Sequence, residues 1–248
     1  MTDRLPSASS DEPSGVETQL RRLWLVRHGV TTWNSERRFC GQSDPVLSSE
    51  GEKQAQAVGL ELSQRVIAAV YTSNLQRAVQ TAAIIGKYQQ TAPSMRLSGA
   101  WSELFFGAWE GLTYTEIATR YPDQLDFFTN PMQASPVDGE SLLVLIERVR
   151  TAFIQMVRDA VSFPAGDIVL VSHGGALRVL ICLVLGMPFE RQWQVKLDHC
   201  SLSAIDFVVG CEDVFSTTSL TLLNQPVGMS SACTYDMKKN EEGAAQDA

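Results

Sequence analysis

Apolar and polar positions alternate along this chain in two rhythms, one of short runs and one of helical stripes. Leu23 to Val26 is a short apolar run, read as a strand, that stops abruptly at Arg27-His28-Gly29. After a polar loop, Ser49 with Glu52 three residues later reads as a capping box ahead of Ala55, Val58 and Leu62 at helical spacing. Val66 to Tyr71 is the second strand, and a helix from about Leu75 to Ile85 gathers Ala78, Val79, Ala82 and Ile85 on one face. A third short strand is expected near Arg96.

The stretch Trp101 to Ser141 breaks the rhythm. It is aromatic and punctuated by Pro122, Pro131, Pro136 and Gly139, which predicts a covering segment of short helices, a candidate lid. A long helix follows from about Glu140 to Val161, with Leu142, Ile146, Val149, Phe153 and Val157 as its apolar stripe. Asp167 to Val171 then repeats the first pattern, a strand running into His173-Gly174-Gly175 and a helix that ends at Gly186 before Pro188. Ser203 to Val209 and Leu220 to Leu223 read as the last strands. Strand and helix alternate as in a doubly wound α/β sheet, without tandem repeat or linker.

Composition narrows the function. A chain of 248 residues with 44% hydrophobic content has material for a substantial core. Its net charge of −8 argues against a nucleic-acid or anionic-membrane partner, since both need a clustered basic surface. An anionic substrate must then be held by a local positive pocket. The longest apolar run, Val179 to Met187, falls well short of the roughly 20 residues that span a bilayer. With no secretory pattern near the start, a cytoplasmic location is expected. The five cysteines form no C-x-x-C pair and read as reduced thiols. Residues 1–20 and 227–248 read as disordered tails around a domain at 21–226.

Two of the three histidines, His28 and His173, fall at predicted strand ends, each followed by glycine. Open α/β sheets bind ligands at such ends. A glycine there lets backbone approach the ligand, and the next helix offers free N–H groups to an oxyanion. The placement favours phosphate. His199, beside Cys200, has nothing in the sequence around it to complete a site and is expected to be structural. No metal-ligand motif, Walker A loop or dinucleotide fingerprint is present, so no metal and no cofactor are expected.

Four ordered motifs resemble one family. Leu25 to Asn34 (LVRHGVTTWN), Ser73 to Ala82 (SNLQRAVQTA), Glu103 to Gly111 (ELFFGAWEG) and Val171 to Gly175 (VSHGG) are similar to the signatures of the histidine phosphatase superfamily, also called phosphoglycerate mutase-like. The likeness runs from about Leu23 to Leu223, and its one departure is Val30, where many members carry Glu. It implies a three-layer α/β/α sandwich with a mostly parallel central sheet. It also implies a phosphomonoesterase in which His28 becomes a phosphohistidine, Arg27 and Arg77 hold the phosphate, and His173 donates to the transferring oxygens.

Asn34, Gln42 and the backbone at Gly174 complete the binding set, and Ser73 stands behind it. Glu103 is expected to be the proton donor, ahead of Glu110 further along the same segment. The compact stretch between Glu103 and His173, poor in Lys and Arg, favours hydrolysis over mutase chemistry. Further likenesses at Leu185-Gly186-Met187-Pro188, Trp193 and Ser203 to Asp206 point to the alpha-ribazole phosphatase branch, whose substrate is a small phosphate monoester of cobalamin assembly. Broad sugar-phosphate or phosphoserine hydrolysis and phosphoglycerate mutation remain open, as does a homodimer.

Overall fold

The computed structural model describes residues 19–228, so the tail expectations lie almost wholly outside the described residues. At both edges they need correction. Gln19 and Leu20 already belong to the first strand, and Val227 packs against the core. The strands are β1 (Gln19–Arg27), β2 (Ile67–Thr72), β3 (Ser94–Leu97), β4 (Asp167–Ser172), β5 (Leu202–Val209) and β6 (Ser219–Gln225). The helices are α1 (Thr32–Ser35), α2 (Ser49–Leu62), α3 (Gln76–Gly86), α4 (Tyr114–Arg120), α5 (Leu142–Asp159) and α6 (Gly174–Leu185).

The six strands form one sheet in the order β3-β2-β4-β1-β5-β6. β1 pairs parallel with β4, and β2 parallel with β4 and β3, while β5 runs antiparallel to both β1 and β6. The expected α/β/α sandwich follows from the alternation of buried side chains. Leu23, Leu25, Ile168 and Leu170 face the core that includes α5 and α6. Trp24, Val26, Val169 and Val171 face the one that includes α2 and α3. Strands apolar on both faces are what a covered parallel sheet requires. Burying a side chain such as Phe153 between sheet and α5 is worth about 1.5–3 kcal/mol.

Helix ends obey local chemistry. The cap of α2 is Ser48, one residue before the expected Ser49: its hydroxyl oxygen accepts from Gly51 N–H at 3.1 Å and its O–H donates to Val30 O at 2.9 Å. Gly186 closes α6 in the left-handed conformation at φ 59°, with Met187 N–H donating to Cys182 O. The stretch read as a lid is a packed cap. Phe106, Trp109, Phe127 and Ile117 are buried in it, and Trp109 stacks on Phe128 at 5.6 Å. Cys40, Cys182 and Cys200 are buried free thiols. Among the described residues no helix is long and apolar enough to cross a membrane.

Candidate active site

β1 and β4 are parallel neighbours in register, Arg27 opposite Ser172, so the residues that follow them must meet. His28 N–H donates to Ser172 O at 2.9 Å, and the rings of His28 and His173 lie 5.0 Å apart. β2, on the other side of β4, brings Ser73 to the same edge, where its hydroxyl hydrogen-bonds Nε2 of His173 at 2.7 Å. Ser73 thus touches His173 from the β2 side. Nδ1 of His173 is buried with no hydrogen-bond partner among the described residues.

The tautomer of His28 follows from its neighbours. Nδ1 faces the Gly29 carbonyl at 2.8 Å, and a carbonyl only accepts, so Nδ1 carries the proton. Nε2 therefore holds the lone pair, and Nε–H of Arg77 points at it from 3.3 Å. Burial, reinforced by Arg77 and then by His173, His199 and Arg27, holds His28 well below the ordinary imidazole range. His173 is pushed down too, by burial first and then by Arg77 and Arg27. Both rings are neutral near pH 7, and one of them is aimed.

The arginines are anchored by backbone carbonyls. Arg77, fully buried near the start of α3, donates through Nη2 to Gly41 O at 2.6 Å and through Nη1 to Ser43 O at 2.7 Å. Arg27 donates through Nη1 to Leu197 O at 2.8 Å and lies over the start of α6, where a Cβ on Gly174 would stand 3.5 Å from its Cζ. The α6 N-terminus also holds Glu103. Gly175 N–H donates to both carboxylate oxygens at 3.1 Å, and Leu104 N–H to one at 2.9 Å. Beside Glu103 a cavity is lined by Leu104, Phe106, Phe127 and Trp193, with Arg178 and Gln192 in its wall.

Other expected residues have different contacts. Asn34 Oδ1 accepts from the N–H and the hydroxyl of Thr31, at 3.0 and 2.8 Å, which fixes the turn after His28. Gln42 is exposed, and its recorded tie to the site is its backbone N–H, which donates to Glu110 at 2.7 Å. Glu110, the rival acid, has both oxygens on donors of residues 42, 43 and 106. Among the described residues no group of three or more His, Cys, Asp and Glu side chains is placed to hold a metal ion.

His199 lies closer to His28 than the sequence around it suggests. Its ring lies edge-on to His28 with centroids 5.1 Å apart, and its Nδ1–H donates to the His28 carbonyl at 2.8 Å. The antiparallel β5 begins where β1 ends, Leu202 opposite Val26, so the turn before β5 is delivered to His28. Cys200, at φ 53°, adopts the left-handed conformation in that turn. Such strain at a non-glycine residue clusters at functional sites.

Two buried imidazoles, two guanidinium groups and a carboxylate at a helix N-terminus gather at one edge of the sheet, a set of groups chemically matched to a phosphoryl group. The comparisons agree. The profile of the histidine phosphatase superfamily (branch 1) matches residues 23–215, and the chain belongs to that family, whose members have phosphatase or mutase activity. A protein named "Probable phosphoglycerate mutase GpmB" from Salmonella arizonae is 34% identical over 188 residues, 75% of this chain and 85% of the relative. The alpha-ribazole phosphatase of Shigella flexneri superposes with a TM-score of 0.72 at 28% identity, over 84% of this chain and 99% of that one. A mycobacterial glucosyl-3-phosphoglycerate phosphatase solved with VO3 gives 0.71 at 27% identity, over 83% and 99%.

Proposed function

We propose that the chain is a phosphomonoesterase that carries phosphate on Nε2 of His28. The observation that carries this reading is the fixed tautomer: Nδ1–H is committed to the Gly29 carbonyl, which leaves the Nε2 lone pair facing Arg77. A dianionic monoester held by Arg27 and Arg77 presents phosphorus to that lone pair. As the N–P bond forms, the P–O bond to the leaving alcohol breaks, and Glu103 protonates the departing oxygen. The same carboxylate then takes a proton from a water that attacks the phosphohistidine, releasing inorganic phosphate and restoring neutral His28. His173 donates to the equatorial oxygens as their charge develops.

The proposed leaving group carries an apolar portion, because the cavity beside Glu103 is walled mainly by leucine and aromatic side chains. Alpha-ribazole 5′-phosphate is the first candidate. Phosphoglycerate mutation is the second reading, on the printed name of relatives at 33–35% identity. A phosphate-release panel of alpha-ribazole 5′-phosphate, phosphoserine, 3-phosphoglycerate and sugar phosphates, ranked by kcat/KM, separates them. Release is expected to persist in EDTA, and an acid-labile phosphoryl group is expected on the protein after quenching. Full activity in His28→Ala would refute the nucleophile, and phosphoglycerate interconversion without net release would make the enzyme a mutase.

A further inference from the structure

Glu110 has no proton to move in the chemistry above, yet its carboxylate gathers donors from two segments. Gln42 N–H reaches it at 2.7 Å, Ser43 N–H at 2.6 Å and Phe106 N–H at 3.3 Å, and the Ser43 hydroxyl also donates to it. Gly41 permits this approach. It sits at φ 35°, and a Cβ there would stand 1.9 Å from Oε1 of Glu110. The peptide joining Gly41 to Gln42 then has two attachments: its N–H is on Glu110, and its C=O accepts from Nη2 of Arg77 at 2.6 Å. A peptide unit is a rigid plane, so fixing one end orients the other. Ser43 adds a second, less rigid link: its N–H is on Glu110 and its C=O accepts from Nη1 of Arg77, the two groups belonging to successive peptide units. The third nitrogen of that guanidinium directs its Nε–H at Nε2 of His28, which leaves one N–H on each Nη for a phosphate.

We infer that Glu110 is a positioning residue for phosphoryl transfer, which sets the direction of the Arg77 guanidinium through the rigid Gly41–Gln42 peptide and the adjoining Ser43. The inference rests on the reading that Arg77 holds the phosphate. Arg77 is a long side chain whose lone-standing rotamers would scatter its fork, and an in-line displacement is intolerant of scatter. A misplacement of about 1 Å at a phosphate clamp costs on the order of a hundredfold in rate. A carboxylate that merely tied two loops together would act on stability and not on Arg77.

The test is a double-mutant cycle on the full chain with p-nitrophenyl phosphate, reading kcat, KM, orthovanadate inhibition and the melting temperature. Glu110→Ala is expected to lower kcat about a hundredfold, and Glu110→Gln to lower it less, because the amide oxygen still accepts. Arg77→Lys keeps a charge but not the fork, so in that background the Glu110 changes should cost less than about threefold further. Vanadate affinity should fall with kcat. Equal losses in both backgrounds, or a lower melting temperature with kcat intact, would overturn the relay while the phosphatase reading stands. An Arg77→Lys enzyme as active as wild type would remove the phosphate-holding role of Arg77 and the relay together. If Glu110→Ala does not fold, Glu110→Gln carries the same cycle.

Discussion

Lowering the pH from 7 to 5 should destabilise this protein through its two most deeply buried imidazoles. His28 and His173 are 3% and 0% exposed, and burial is the first cause of the depression of both. In the unfolded chain each takes up a proton around pH 6.5, whereas in the folded chain each stays neutral well below that. Between those limits the unfolded state binds more protons, so stability rises with pH and is lost as pH falls through 6.5. With the unfolded group titrating at about 6.5 and the folded one still neutral, the loss from pH 7 to pH 5 is about 2 kcal/mol per ring. The two together give a ceiling of about 4 kcal/mol, a large part of the roughly 5–15 kcal/mol that holds a domain folded. Urea unfolding at pH 7, 6 and 5 measures the total, and carboxylates add their own share. The decisive quantity is therefore the difference between wild type and His173→Asn, whose stability should depend on pH less steeply by up to about 2 kcal/mol over that range. Identical slopes would mean that His173 titrates in the folded protein as it does in the open chain, and the neutral site would be refuted.

Three further outcomes follow from contacts at the site. Gly175→Ala would put a Cβ 2.4 Å from Oε1 of Glu103, on a helix that alanine favours; melting should hold or rise while kcat falls about tenfold or more. Unchanged kcat would place the proton transfer elsewhere. Arg148 is bidentate to Glu140 at 2.7 and 2.8 Å and also donates to the carbonyls of Ala100, Ser102 and Glu103. Arg148→Met should cost about 3 kcal/mol in urea unfolding, and a loss under 1 kcal/mol would show the network to be solvated. His199→Asn keeps a donor near the Nδ1 position and should retain kcat within about threefold, whereas His199→Phe loses the bond to the His28 carbonyl and should fall about tenfold. Equal behaviour of the two variants would remove that hydrogen bond from the mechanism.

The parts of this fold that could be read from the chain are those in which a local pattern and a tertiary role coincide. β4 and the inner half of β1 are apolar runs because helices cover both faces of the sheet there, and the strand-His-Gly junctions are local features that the parallel β1–β4 pairing then brings together. The outer half of β1 was hidden by its charges. Arg22 pairs with Asp206 across the sheet at 2.7 Å, and Arg21 donates to the carbonyls of Phe163 and Pro164. A strand whose arginines are satisfied by tertiary partners has no hydrophobic signature, which is why residues 19 and 20 read as tail.

The residues that spacing could not place are those whose role depends on a second, distant segment. His199 lies 171 positions from His28 and has no motif of its own; it reaches His28 because an antiparallel strand starts where its parallel-paired neighbour stops. Glu103 and Glu110 share one aromatic segment seven residues apart, so either was eligible as the acid. What separates them is which backbone each carboxylate faces. Glu103 meets the N-terminus of α6, beside Arg27 and the apolar cavity, and Glu110 meets the loop whose carbonyls hold Arg77. On the proposed mechanism one carboxylate exchanges a proton with substrate and the other orients a guanidinium. Division of labour between like residues is settled by the hydrogen-bond partners that tertiary contact supplies, and those partners come from segments about 70 residues away in both cases.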